Sequence, residues 1–174
     1  MKFRFALASV LATLLALAVS VSAAQAASQP NYVGLDTCRS CHATQVEAWQ
    51  DSHHGWALRL PTPENVLGDF KDAKFEFKGV TSRFFQKDGK YFVETDGADG
   101  KLQPFEIKYV VGVTPLQQYL VDTGQGRLQA LDLAWDTTAK RWYHLYPNED
   151  VSAGNGLHWT GPYKNWQARC AVCH

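Results

Sequence analysis

Two copies of one short pattern, C-x-x-C-H, lie far apart in this chain and use all four of its cysteines. The first copy is Cys38-Arg39-Ser40-Cys41-His42, and the second is Cys170-Ala171-Val172-Cys173-His174. The pattern is typical of covalent haem c attachment, in which both cysteines form thioethers with the haem vinyl groups. The histidine that follows binds the iron as its proximal ligand. The sequence therefore predicts two covalent haems c, attached to Cys38, Cys41, Cys170 and Cys173 and ligated by His42 and His174.

Three other interpretations of the four cysteines stay open. A C-x-x-C pair can be a thioredoxin-like redox pair, but that motif belongs to a βαβ unit, which the sequence does not indicate. Two disulfides suit an exported protein, but they explain neither the two-residue spacing nor the histidine after each pair. Zinc needs four ligands from neighbouring segments. The two pairs lie at opposite ends of the chain, although folding can bring them together.

The first 26 residues have the pattern of a cleaved secretory signal peptide. Lys2 and Arg4 precede a nearly unbroken apolar run over residues 5–21, and Ala24-Gln25-Ala26 is an A-x-A cleavage site. A retained membrane anchor is the alternative, but the run is slightly short for a span. We therefore expect export to the periplasm, and no membrane span after cleavage.

The charge and length of the mature chain limit its possible partners and its number of domains. Without Lys2 and Arg4, the 17 basic residues fall to 15 against 17 acidic ones, and no basic run favours nucleic acid binding. The remaining length of about 148 residues suffices for one domain. We predict a first haem-binding segment, a β-rich insert and a second haem-binding segment within one structural domain, 27–174. Their expected bounds are 27–60, 61–150 and 151–174.

The only methionine, Met1, leaves with the signal peptide. The mature chain therefore cannot use methionine as a sixth haem ligand, which indicates a low potential. Of the spare histidines, His54 and His158 are the candidate distal ligands, and His53 is a weaker one. His144 lies among aromatics in a predicted strand, where packing is the favoured role.

Residues 43–58 carry apolar and aromatic side chains at helical spacing, so we expect an amphipathic helix there. His54 follows His42 by twelve residues, about 18 Å along one helix. The two axial ligands of one iron lie only about 4 Å apart. If His53 or His54 binds iron, it therefore caps a different haem from the one held by His42.

Between the two motifs the pattern indicates antiparallel strands. Lys87-Asp88-Gly89-Lys90 is a strong hairpin signal between alternating runs. Further strands are expected over 105–111, 128–135 and 141–146, whereas 116–121 fits a helix or a strand equally. The fold class predicted is α+β, with helical haem-binding segments at both ends flanking a central antiparallel β region. Four tryptophans near the motifs are candidate haem-packing residues: Trp49, Trp56, Trp159 and Trp166.

The chain resembles the periplasmic multihaem cytochrome c family. Residues 32–42 and 48–54 are similar to that family's first haem segment, in which a histidine after W-x-x-S-x, here His54, serves as a distal ligand. Residues 79–85, 142–147 and 158–166 are similar to a subgroup that carries tetratricopeptide repeats further along. The resemblance implies that further haem motifs follow and that this chain is an N-terminal fragment.

Both the motifs and the resemblance favour a periplasmic electron carrier with bis-histidine haems, whose partners are other periplasmic redox proteins. Two strong axial ligands leave no open position on the iron, so an electron carrier is favoured over a catalyst. Two alternatives stay open. One is a haem-containing oxidoreductase with an open catalytic haem, and the other is a haem-bearing interaction module.

Overall fold

A computed structural model of the chain describes residue 31 and residues 33–124 and 126–172. The predicted signal peptide, Cys173 and His174 lie outside the described residues. The chain divides into two compact units, Met1–His42 and Ala43–His174. Among the described residues, no helix is both long enough and apolar enough to cross a membrane.

Eight strands and two helices make up the described chain. The helices are α1 (Leu35–Gln50) and α2 (Trp166–Arg169), with a 3-10 turn at Pro162–Lys164. The strands are β1 (Ala73–Phe77), β2 (Val80–Lys87), β3 (Lys90–Asp96), β4 (Leu102–Val111), β5 (Leu116–Asp122), β6 (Leu128–Ala130), β7 (Leu133–Asp136) and β8 (Arg141–His144).

All strands of the second unit join one antiparallel sheet. Its order is β1-β2-β3-β4-β5-β7-β8, and β6 pairs with β5 beside this path. The rings of Phe77 on β1 and His144 on β8 stack at a centroid distance of 4.0 Å. The first and last strands therefore approach each other, and the sheet forms a nearly closed barrel.

The hairpin predicted at Asp88-Gly89 is confirmed. Lys87 and Lys90 are paired in the β2–β3 ladder, which leaves a two-residue turn. Asp88 and Gly89 both have positive φ, 51° and 73°. This is the geometry of a type I′ turn, whose twist matches that of the flanking strands.

Aromatic side chains fill the barrel. Phe84 and Trp142 stack at 3.5 Å between ring centroids, and Phe70 meets both rings edge-on. Tyr91 and Tyr119 also meet Phe70 edge-on. The high aromatic content of the middle segment therefore serves a conventional hydrophobic core, in which edge and stacked pairs add to the burial energy.

The predicted fold class is wrong. The chain is mostly antiparallel β, and helical segments do not flank a central sheet at both ends. At the carboxyl end, α2 has only four residues. A Cβ at Gly161 would lie 2.2 Å from the Gly156 carbonyl oxygen, so the preceding chain folds back too tightly for a helix. Pro162 then opens a separate 3-10 turn.

The helix expected over 43–58 also differs from the observed one. Helix α1 ends at Gln50, and it is interrupted at His42, which has non-helical φ and ψ of −125° and 40°. A Cβ at Gly55 would lie 2.6 Å from the Gln50 carbonyl oxygen, so the chain turns sharply after the helix. Arg59 donates from Nη2 to the same carbonyl, at 2.6 Å. A cation at this position complements the helix dipole.

The strands expected in the middle are largely confirmed. The ambiguous segment 116–121 is strand β5. The run expected over 128–135 is two strands, because β6 ends at Ala130 and β7 begins at Leu133. The buried pair Leu131-Asp132 separates them.

Candidate functional site

The first C-x-x-C-H copy lies on α1. Cys38 and Cys41 are exposed and free of disulfide bonds. At a spacing of three residues on a helix they share one face, and His42 follows at the kink that interrupts the helix. His42 is also exposed. Two accessible thiols on one helical face, followed by an exposed imidazole, fit the donor set that a covalently attached haem requires.

The second copy is only partly described. Cys170 is free and half-buried at the C-cap of α2. It packs against a small apolar cluster that includes Leu120 and Trp166. The Asn165 side chain begins α2 by accepting a hydrogen bond from the Ala168 amide at 2.9 Å. Cys173 and His174 lie outside the described residues, and haem attachment at this motif stays a prediction.

The candidate distal histidines lie in different environments. His53 and His54 are exposed, in the turn that follows α1. The predicted separation of about 18 Å between His42 and His54 requires one straight helix, but α1 is interrupted at His42 and ends at Gln50. His158 is buried, with Nε2 3.1 Å from Asp96 Oδ2 and Nδ1 2.7 Å from Thr160 Oγ1. Iron ligation by His158 therefore requires one of these contacts to be given up.

The four tryptophans near the motifs also lie in different environments. Trp159 belongs to the barrel core and donates from Nε1 to the Asp96 carbonyl at 2.8 Å. Trp166 belongs to the small cluster beside Cys170. Trp56 lies under the Arg59 guanidinium at 3.7 Å, and Trp49 is half exposed. Trp159 therefore has a structural role without haem, whereas Trp49 has surface left to shield a ligand.

No group of three or more His, Cys, Asp or Glu side chains within the described ranges converges as a metal site would. The described histidines and cysteines therefore do not assemble a conventional zinc site by themselves. The completed C-x-x-C-H copies include Cys173 and His174, which are not among the described residues.

A cavity that no sequence pattern indicated lies at one end of the barrel. Its volume is about 200 Å³. The ends of β1, β3 and β8 and the starts of β2 and β7 meet at this edge, as antiparallel neighbours must. Residues 150–152 and 158–159 cover it. The polar and charged lining residues are Lys78, Ser82, Thr95, Asp96, Asp132, His144, Asp150, Ser152 and His158.

Asp132 is the most deeply buried carboxylate in this lining. Lys164 Nζ lies 2.6 Å from its Oδ1, and both side chains are almost fully buried. Asp132 Oδ2 has no hydrogen-bond partner among the described residues. Burial raises the pKa of Asp132 above its usual value, although Lys164 acts in the opposite direction. Lys164 also lies 3.8 Å over the Tyr146 ring.

Asp96 is the second carboxylate of the cavity. Burial raises its pKa, but the hydrogen bond and charge of His158 outweigh that effect, so the net pKa is lowered. The His158 ring contacts the Asp96 carboxylate on one side and the Thr160 hydroxyl on the other. An acid, a base and a hydroxyl therefore lie in series. Thr160 does not line the cavity, so this chain of contacts gives no nucleophile access to a ligand there.

His144 also lines the cavity, and its ring is hydrogen-bonded through Nδ1. Its Nδ1 accepts a hydrogen bond from the Tyr146 amide at 3.0 Å. The proton of the neutral ring therefore resides on Nε2. Burial lowers the pKa of His144, and the nearby charges of Lys164 and Lys78 act in the same direction. The buried imidazole is thus neutral and is held by its stack on Phe77.

Acidification is expected to destabilise the barrel through His144. The folded pKa lies below the ordinary 6.5, so under more acid conditions the unfolded chain binds a proton that the folded chain excludes. The free energy of unfolding should then fall by up to about 1.4 kcal/mol per pH unit, until the folded pKa is reached. Urea unfolding from about pH 7.5 to about pH 5 measures this slope. His144→Phe and His144→Gln should both flatten it, and unchanged slopes in both variants would contradict the assignment.

Comparison of the chain with protein-family models, with curated proteins and with solved structures finds no match in any of the three. The resemblance to multihaem cytochromes therefore stays a prediction from the residues.

Proposed function

We propose that the protein is an exported multihaem c-type cytochrome that transfers electrons through covalently bound haems. The observation that carries the proposal is the double C-x-x-C-H pattern. The exposed, unbridged thiols of Cys38 and Cys41 on one face of α1 support it. The electron donors and acceptors would be other exported redox proteins.

The chain's own residues would anchor and ligate the cofactor. Cys38 and Cys41 fix the porphyrin through thioethers, and His42 supplies the proximal imidazole. A haem so held supplies an iron that accepts and releases one electron. Exposed His53 and His54 have imidazoles free to serve as distal ligands, with His54 favoured by the W-x-x-S-x-H spacing. Histidine on both axial positions closes the iron to other ligands and keeps its potential low.

A haem enzyme with an open iron position is the second candidate. The observation that favours it is the engagement of both ring nitrogens of His158, by Asp96 and by Thr160. If His158 keeps these contacts, a haem at the second motif lacks the distal ligand expected from this chain. Such an open position would admit a small ligand or substrate.

Expression of the full chain in a host competent for haem c attachment tests the proposal. A pyridine haemochrome spectrum combined with the intact mass gives the number of covalent haems. We expect two haems, low-spin spectra and no binding of carbon monoxide. A high-spin component that binds carbon monoxide would select the open-haem enzyme. Absence of covalent haem from protein made in a competent host would refute both candidates.

A further inference from the structure

The charged side chains around the cavity are already paired within the protein. Lys164 Nζ lies 2.6 Å from Asp132 Oδ1, and both groups are almost fully buried. Asp132 therefore offers no free charge to a ligand. Asp150 and Lys78 lie at the exposed rim of the cavity, where hydrogen bonds from Ser152 and the charge of Lys78 lower the pKa of Asp150. The two rim charges offset each other, and neither calls for an ion inside the cavity.

The hydrogen-bonding side chains of the lining also satisfy one another. His158 Nε2 lies 3.1 Å from Asp96 Oδ2, and Thr95 donates to Asp96 Oδ1 at 3.2 Å. Ser82 shares a hydrogen bond of 2.8 Å with Thr95. His144 is hydrogen-bonded through Nδ1. These side chains therefore gain little from a polar ligand, and an ion placed beside them would lose its hydration without a partner in exchange.

The walls between these polar groups are apolar, and they set the size of a ligand. They are supplied by Phe77, Val80, Leu133, Val151 and Trp159. The cavity volume is about 200 Å³. A dry apolar cavity of about 150 Å³ accepts benzene, so about six to eight non-hydrogen atoms fit here. Burial of such a body away from water is the driving force for binding that these walls provide.

We propose that this cavity binds a small neutral apolar molecule, of the size of one six-membered ring, between Val80, Val151 and Trp159. The Trp159 wall is preformed, because its Nε1 donates to the Asp96 carbonyl at 2.8 Å and its ring meets Phe105 edge-on. The fixed indole ring offers an aromatic ligand an edge or a face to pack against. The site contains no residue of either cysteine motif and does not rest on the proposed electron transfer.

Calorimetric titration of the full chain with three probes of similar shape tests the charge preference. The probes are toluene, benzylammonium and benzoate, which carry a neutral, a positive and a negative group on the same ring. We expect toluene to bind at least about tenfold more tightly than either ion, because each ion would give up its hydration without gaining a partner. Equal or tighter binding of benzylammonium or benzoate, or no binding of toluene, would overturn the proposal.

A pair of matched variants locates the site. Val80→Phe should fill the cavity and abolish toluene binding. Thr81→Phe adds the same ring at the next, exposed position of β2 and should leave toluene binding unchanged. Unchanged toluene binding in folded Val80→Phe would refute the location.

If circular dichroism shows that Val80→Phe does not fold, Val151→Ala decides instead. The smaller side chain enlarges the cavity, so the affinity for isopropylbenzene relative to toluene should rise at least about fourfold, as expected for one further buried methylene group. A ratio equal to that of the unaltered protein would place toluene outside this cavity.

Discussion

Alanine at both Cys38 and Cys41 is expected to lower the haem content of the chain from two covalent haems to one. Haem c attachment requires a thiol for each vinyl group, and both thiols of the first motif lie exposed on α1. Neither is tied up in a disulfide that the substitution would break. Only one haem should therefore be lost, and the second motif should still carry its haem. The haemochrome absorbance per chain and the intact mass measure it.

Ser40→Ala is the matched control for this variant. Ser40 lies between the two cysteines, and its Oγ contacts Cys41 Sγ at 3.8 Å and donates to the Thr37 carbonyl. It supplies no atom to the thioethers, so haem content should stay at two. A haem content that is the same in the double alanine variant and in the unaltered protein would show that the first motif does not attach haem.

The disulfide and zinc interpretations give different results in the same experiment. If the cysteines form disulfides, the unaltered protein should contain no covalent haem and should resist thiol alkylation until it is reduced. If they bind zinc, the protein should contain the metal, and the double alanine variant should lose it. The spectrum, the mass and the metal content together therefore separate the three chemistries.

The barrel was predictable where its signals are local. The Asp88-Gly89 turn fixes the β2–β3 register by itself, because only two residues connect the paired Lys87 and Lys90. The end of α1 was not predictable in this way. It depends on Arg59 reaching back to the Gln50 carbonyl and on the close approach of Gly55, both of which arise from the folded path of the chain.

The cysteine motifs and the cavity also differ in how far the sequence predicts them. Each cysteine motif is contained in five consecutive residues, so spacing alone reveals it. The cavity is assembled from five strands and two covering segments, and no short pattern indicates it. One local signal existed, because Asp132 interrupts the apolar run Leu131-Asp132-Leu133-Ala134-Trp135. A lone carboxylate in such a run is seldom buried without a partner, yet only the fold shows that the partner is Lys164.

Lys164→Met is expected to destabilise the barrel strongly. It keeps most of the length and apolar stem of the side chain but leaves Asp132 buried without its counter-charge. Breaking a buried ion pair in this way costs about 3–5 kcal/mol. Urea unfolding at neutral pH measures the loss. Lys101→Met removes the exposed partner of Asp99 and should cost no more than about 1 kcal/mol.

The double variant Asp132→Asn with Lys164→Met separates charge from packing. If the loss in Lys164→Met comes from the unpaired carboxylate, the asparagine should recover most of it, since no buried charge remains. Lowering the pH should also reduce the loss of unfolding free energy in Lys164→Met. Burial raises the folded pKa of Asp132, so as the pH falls the folded state binds a proton before the unfolded state does, which favours folding. A deficit that persists in the double variant and at low pH would place the effect in lost packing against Tyr146 instead.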